Sequence, residues 1–314
     1  MMFCSASASA LCSVGSTTPA SFGLVSSIAV RTTSQFSSTV HAGLQCTGSL
    51  LSVLASNDHF YATVTSATAG MVGPTGDVIG YTLYANNSSS YPITRGVGFD
   101  FARNSLLDVL GLLGNPTVAT AIPLYLRTLV GSNVAAGLYT ETLNIHWDWN
   151  YCSGIGVLGV CLGRDINSGT TSLVVNLNVT NDCLISAPNI NFGSAPVVSA
   201  FGAVTSQTIT LTCTKGSLYS VGLDDGQHAT NAGGRRRMLF AGQYLAYDIF
   251  KGAGSSRWGN VSGARRASPT ADLNPGRGLG NGSQTFNYNA KIYPDQNTPP
   301  AGTYLDSVVL EVGF

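Results

Sequence analysis

The sequence predicts an all-β protein of 314 residues: two tandem Ig-like antiparallel β-sandwiches, the C-terminal one lacking its final strand. Three observations predict this. Strand-length segments alternate apolar and polar residues between turn clusters. The composition is rich in glycine and poor in charge. One set of landmarks occurs twice, in the same order.

The alternation is clearest in TSLVVNLNV (171–179), SQTITLTC (206–213) and SVVLEVGF (307–314). A period of two, bounded by Gly, Pro and Asn clusters, marks half-buried antiparallel strands. The 37 glycines and the many Ser, Thr and Asn residues suit turns and strands. The Ala, Leu, Glu, Lys and Arg runs that build long helices are missing. Charged residues make up 10 %, and Lys+Arg and Asp+Glu are both 15, so the formal net charge is zero. Such a balance does not attract a polyanion and argues against a nucleic-acid partner. No apolar run reaches the roughly 20 residues that span a bilayer as a helix.

The repeat gives the domain organisation. Cys12, Phe22-Gly23 and Cys46-Thr47 are answered by Cys183, Phe192-Gly193 and Cys213-Thr214. IGYTLYAN (79–86) is answered by LAYDIFKG (245–252), and the Gly-x-Tyr strand GLYTETLNI (137–145) by GTYLDSVVLEV (302–312). Residues 11–180 and 183–314 therefore read as two homologous sandwich domains. The repeated cysteines are expected to pair as Cys12–Cys46 and Cys183–Cys213, each tying a first strand to a second. Closing loops of this size contributes roughly 3–4 kcal/mol in the chain-entropy model. Cys152 and Cys161 would clip the base of a short loop. In the first domain the Gly-x-Tyr strand is followed by another, 171–180. The second domain has no counterpart, so its sandwich is expected to expose an apolar groove with unpaired backbone. A complete sandwich is the other reading.

Residues 1–10, MMFCSASASA, form a short apolar stretch ending in Ala8-Ser9-Ala10, an A-x-A cleavage pattern. They lack a positive start and read as a signal-peptide remnant or the tail of a longer leader. An ordinary disordered N-terminus is the alternative. Cleavage after Ala10 removes Cys4, leaving six of the seven cysteines, an even number that suits disulfides in an oxidising compartment. The rival reading, a metal site, finds no C-x-x-C and no paired histidines.

Three apolar segments of the first domain are hard to place inside a sandwich: SLLSVLASND (49–58), SLLDVLGLLGNP (105–116) and SGIGVLGVCLG (153–163). With strands counted A to G, they fall between B and C, D and E, and F and G, all at one pole. Exposed apolar side chains forgo roughly 1.5–3 kcal/mol each of burial energy, so a cluster of them implies a partner surface. The candidate residues are Leu50, Leu51, Val53, Leu54, Leu106, Leu107, Val109, Leu110, Leu112, Leu113, Ile155, Val157, Leu158 and Val160. The alternative is that some of them fold back. Leu106, Val109, Leu110 and Leu113 stand at i, i+3, i+4 and i+7, the spacing of a helical turn packed on the sandwich.

No catalytic residue, cofactor site or metal site is read from the chain, which suits a binding protein rather than an enzyme. G-x-G-x-x-G at 154–159 is bracketed by two cysteines in an all-β context, not set between a strand and a helix. His41, His59, His146 and His228 are scattered, and no triad or paired-carboxylate pattern stands out. Arg235-Arg236-Arg237 reads as a solvated loop. Trp147 and Trp149 either pack or stack on a sugar. Asn86, Asn87 and Tyr91 stand in a polar loop able to line a pocket.

The second domain resembles the spore coat protein U family. Asn191-Phe192-Gly193, Leu211-Thr212-Cys213-Thr214, SLYSVGLDDG (217–226), Arg237-Met238, Tyr244-Leu245-Ala246-Tyr247, Trp258-Gly259 and PPAGTYLDSV (299–308) carry the likeness. The two-domain arrangement resembles the tip adhesins of archaic, Csu-type chaperone–usher pili. That resemblance implies export through the periplasm to the cell surface and a position at the pilus tip. It implies as partners a periplasmic chaperone, an outer-membrane usher and a donor strand from the adjacent pilin. It also implies attachment to hydrophobic, even abiotic, surfaces and biofilm formation. Cys12 follows the expected cleavage site almost at once, leaving no donor arm, as a fibre end requires. Two alternatives stay open: a tip lectin using Trp147 and Trp149, and a purely structural fibre or coat subunit.

Overall fold

The computed structural model describes residues 11–47, 58–103, 106, 120–157 and 160–314. The chain forms two compact units, one within 1–132 and 137–180, the other within 133–136 and 181–314. Both are built of strands. Residues 1–10, expected to be a leader remnant, lie outside the described residues.

The first unit contains β1 (Leu11–Val14), β2 (Ala20–Ser26), β3 (Phe36–Thr39), β4 (Leu44–Thr47), β5 (His59–Ser66), β6 (Met71–Val72), β7 (Val78–Ile79) and β8 (Tyr81–Tyr84). It continues through β9 (Pro92–Ile93), β10 (Gly98–Asp100), β11 (Thr120–Ala121), β12 (Leu124–Thr128), β13 (Gly137–Val157) and β14 (Val160–Thr180). The large sheet runs β10-β5-β13-β14-β2, with β6 beside β13 and β7 beside β6. A second sheet runs β3-β12-β8-β9, and a small one β1-β4-β11.

Strand β13 shows why the residue pattern folds this way. Tyr139, Glu141, Leu143, Ile145, Trp147, Trp149 and Tyr151 occupy every second position and all are buried, while the residues between them face outward. Its partner β14 repeats the pattern with Leu173, Val175, Leu177 and Val179. Glu141 is the charged member of the stripe. It accepts hydrogen bonds from Arg95 Nη2 (3.0 Å) and Thr68 Oγ1 (3.2 Å), and also from Ser66 Oγ. Burial pushes its carboxyl up, but the hydrogen bonds from Arg95 and Ser66 leave it below the usual carboxylate range. Gly43, at φ 103°, lets the chain pass Thr171 and Trp147 where a Cβ would collide.

A strand direction and the position of a disulfide in the first unit differ from the sequence reading. Among the described strands of this unit pairing is antiparallel except at β2, which joins β14 in parallel. The long path between these two strands leaves their relative direction free. Cys12 and Cys46 are disulfide-bonded and lie opposite each other on β1 and β4, with β2, a short helix α1 (Ser27–Thr32) and β3 intervening in sequence.

The second unit contains β15 (Cys183–Ser186), β16 (Val204–Cys213), β17 (Ser220–Leu223), β18 (Arg236–Phe240), β19 (Gln243–Lys251), β20 (Arg266–Ala267), β21 (Gln284–Ile292) and β22 (Leu310–Gly313). One sheet runs β15-β16-β21-β19-β18 and the other β20-β17-β22. The Cys183–Cys213 disulfide ties β15 to β16. Ile209, Leu211, Val221, Tyr247, Trp258 and Phe286 lie in one buried cluster. The Trp258 indole donates to the Val221 carbonyl at 3.0 Å, so the one buried N–H of the ring is satisfied.

The arginine run is not a solvated loop. It opens β18, and Arg236 shares the inward face with Met238. The Arg236 guanidinium, 0 % exposed, donates to Asp248 Oδ1 (2.7 Å) and to the carbonyls of Leu223 (2.9 Å) and Trp258 (2.8 Å). Arg235 forms a two-bond pair with Asp295 and lies 3.7 Å over Tyr293. Arg237 lies 4.1 Å over Tyr244. All three charges are used within the unit.

Candidate functional site

Two features stand out: a hairpin end on the first unit and a groove on the second. The hairpin arises because β13 and β14 are each 21 residues long, whereas β5 pairs β13 only from Leu143 to Asn150. Tyr151–Val157 continue beyond that pairing, roughly 20 Å of extended chain whose strand partner among the described residues is β14. The Cys152–Cys161 disulfide crosses this arm, and the register shifts between Cys152 and Ile155.

Polar groups anchor the arm's root. Arg164 on β14 donates to Asn150 Oδ1 (2.6 Å) and pairs with Asp58, whose side chain is buried. Asp165 accepts the Cys12 amide at 3.0 Å. His59 contacts Asp148 Oδ1 at 2.9 Å, and Phe60 stacks on Tyr151 with centroids 5.1 Å apart. Hydrogen bonds to charged partners are stronger than neutral ones, so the arm leaves the sandwich in a fixed direction.

The described residues bordering the first two apolar segments come to this same end. Thr120 pairs with Cys46, one residue before the first segment's border at Thr47. Asp58, at the far border of the first segment, meets Arg164 of the hairpin. Asp100, just before the second segment, pairs with Tyr61 at the start of β5 and accepts from Arg103 at 3.0 Å.

Of the predicted apolar residues, Ile155, Val157 and Val160 fall on the hairpin, with Ile155 opposite Leu162 and Val157 opposite Val160 in register. Leu50, Leu51, Val53, Leu54, Leu107, Val109, Leu110, Leu112, Leu113 and Leu158 lie outside the described residues. Leu106 is corrected: at 1 % exposure it is a core residue, its amide 3.5 Å from the Arg103 carbonyl. The tryptophans are also decided. Trp147 and Trp149 are 0 % and 2 % exposed, and the Trp147 indole donates to the Ala42 carbonyl at 2.9 Å. Their place in the inward stripe of β13 leaves no face for a sugar, so the lectin built on them is set aside.

β22 is paired on one side only, by β17, and the groove lies along the stretch of chain that leads into it. A cleft of ≈ 490 Å³ runs between residues 188–192 and residues 304–308, with Met238, Tyr247 and Ile249 as its floor. Neither wall is part of a sheet, apart from a bridge between Leu305 and Leu239, whose amides and carbonyls bond reciprocally at 2.8 and 3.2 Å. Ile190, Phe192, Tyr304 and Val308 are only partly buried against the core. The Tyr247 hydroxyl donates to Asp306 Oδ2 at 2.8 Å within the cleft, beside the apolar Ile190, Phe192, Met238 and Ile249. An open strip of core beside a one-sided strand is the shape that an added strand fills. Sequence reasoning expected an open groove in this domain but named neither wall; for 188–192 the reason is that SAPNIN carries no two-residue period.

Among the described residues no group of His, Cys, Asp and Glu could hold a metal ion, and no described helix is long and apolar enough to cross a membrane.

A family model described as the Spore Coat Protein U domain matches residues 1–146 and 169–311. The chain belongs to this family and carries the domain twice. In three dimensions it is similar to the chaperone–tip adhesion subunit pre-assembly complex, CsuC–CsuE, from archaic chaperone–usher Csu pili of Acinetobacter baumannii. That match has 25 % identity and a TM-score of 0.66, and covers 97 % of this chain and 100 % of that one. A mutant of the CFA/I enterotoxigenic E. coli adhesin CfaE aligns over 80 % of this chain and 81 % of its own, with 10 % identity and a TM-score of 0.26, too low to argue from. No curated protein matches the chain in sequence.

Proposed function

We propose that this protein is the tip subunit of a chaperone–usher pilus, exported through the periplasm and displayed at the cell surface. In this reading the second unit joins the fibre and the first, 11–180, attaches it to a surface. The observation that carries the proposal is the similarity to the Csu chaperone–tip subunit complex along essentially the whole of both chains. The groove supports it, since a strand laid between 188–192 and 304–308 would cover the apolar floor. A periplasmic chaperone fills that groove first. A donor strand of the adjacent subunit replaces it at the outer-membrane usher, by β-augmentation.

The first unit attaches through apolar side chains at its hairpin end: Leu50, Leu51, Val53, Leu54, Leu107, Leu110, Leu112, Leu113, Ile155, Val157, Leu158 and Val160. The anchored hairpin and the convergence of the bordering residues support that site. Apolar groups carry little hydrogen-bonding information, so the target is a class of hydrophobic surfaces, abiotic ones included. Many fibres binding together turn weak contacts into lasting attachment and biofilm.

Tip placement is tested by gold-labelled antibody raised against residues 11–180, applied to fibres sheared from cells that make this protein. One gold particle at one end of each fibre is the expected result. Gold spaced along the shaft would make the protein a repeating or coat subunit instead.

A further inference from the structure

We infer that the outer face of the β3-β12-β8-β9 sheet carries a saccharide site, separate from the hairpin end and from the groove. A cleft of ≈ 170 Å³ opens there, lined by Phe36, Ser38, Tyr84, Asn87, Ser89 and Tyr125 among others. The sheet register explains the grouping. Tyr125 lies opposite both Ser38 and Tyr84, and Arg127 opposite Phe36. With inward positions taken by Leu124, Leu126 and Leu83, the period of two turns Phe36, Ser38, Tyr84 and Tyr125 outward together. Three aromatic rings thus share one solvent-facing patch, and Phe36 is 62 % exposed. The Arg127 guanidinium sits 4.9 Å over the Phe36 ring and braces it.

The loop above the rings is built, not loose. Asn86 Oδ1 accepts the amides of Ser90 (3.0 Å) and Tyr91 (3.3 Å), and its Nδ2 donates to Ser88 Oγ at 2.7 Å. The Ala85 amide donates to the Tyr91 carbonyl at 2.9 Å. Ser89 is held at φ 58°, a left-handed conformation that a serine adopts only when its surroundings impose it. Asn86 therefore spends its side chain on the loop, leaving Asn87 and Ser89 to line the cleft.

A saccharide fits this chemistry. The C–H face of a pyranose stacks on a flat ring, as apolar groups do on aromatic faces. Its hydroxyls need groups that both donate and accept, which Asn, Ser and Tyr side chains supply. A purely apolar ligand would waste the polar rim. A polyanion would find one cation, Arg127, already stacked on Phe36.

Saturation-transfer difference NMR on the full-length protein tests the site. The probes are glucose, galactose, mannose, N-acetylglucosamine and glucuronic acid, each against wild type, Tyr125→Ala, Asn87→Ala and the control Phe240→Ala in the other unit. Saturation transfer to at least one sugar is expected, weakened at least tenfold in affinity by Tyr125→Ala and by Asn87→Ala and unchanged by Phe240→Ala. Asn87→Ala alters only an exposed loop side chain, so it reads the site even if Tyr125→Ala unfolds. No transfer to any sugar in wild type overturns the inference, and so does transfer that Asn87→Ala leaves unchanged.

Discussion

Asp248→Ala is expected to destabilise the second unit by about 3–5 kcal/mol, the cost of breaking a buried ion pair from one side. Asp248 is fully buried and accepts from Arg236 Nη1 (2.7 Å), Arg257 Nε (2.9 Å) and the Tyr293 hydroxyl (3.0 Å). Removing it leaves the Arg236 charge in the core facing carbonyls alone. Burial already holds the Arg236 guanidinium below its usual range, and the neighbouring Arg257 adds to that. The lost carboxylate is what offsets both effects. Urea unfolding of the full chain, followed by hydrogen exchange in β18 and β19, reads the change. A loss under 1 kcal/mol would mean that the carbonyls of Leu223, Trp258 and Asp224, the last accepting from Arg236 Nε at 2.8 Å, hold Arg236 by themselves. The double change Arg236→Met with Asp248→Leu should recover much of the loss, since apolar side chains of similar volume often replace a buried pair at little cost.

Ile190→Asp is expected to cut formation of the complex with the periplasmic chaperone about a hundredfold. Ile190 stands in the groove wall, partly buried against the core. While the groove is open an aspartate there reaches water. Once a strand covers it, the carboxylate is buried without a partner, and even ~3 kcal/mol of that penalty gives two orders of magnitude. The change lies outside the strands, so the fold should persist, which circular dichroism checks. Ile185→Asp, on the exposed face of β15 and away from the groove, is the control and should leave the yield unchanged. A normal yield with Ile190→Asp would place the chaperone elsewhere on the protein.

Much of the architecture was legible in the residues because a two-residue period directly encodes burial. The segments 137–145, 171–179 and 206–213 lie within β13, β14 and β16, and all of 245–252 but its last residue lies within β19. What the period does not encode is pairing across space. Arg236 and Asp248 are 12 residues apart, and only the frame set by Met238 hints that Arg236 turns inward. Helix α1 has six residues, too few for a helical period to emerge; its one local signal is Ser26, whose side chain accepts the Ala29 amide. Trp147 and Trp149 fit the inward stripe begun by Tyr139, so the same period that identified β13 already argued for packing. The apolar segments were legible as an anomaly of composition. Leu106 shows that such an anomaly still mixes core with surface, since hydrophobicity alone does not say which side a leucine faces.

The most direct test of surface attachment is adhesion of intact fibres to polystyrene, comparing wild type with Leu112→Asn, Val157→Asn and Leu158→Asn combined. Fibre number is counted by electron microscopy in parallel. The proposed function predicts normal fibre number and attachment reduced at least tenfold, because polar side chains at the hairpin end no longer gain by leaving water. Normal fibres that attach as well as wild type would contradict it.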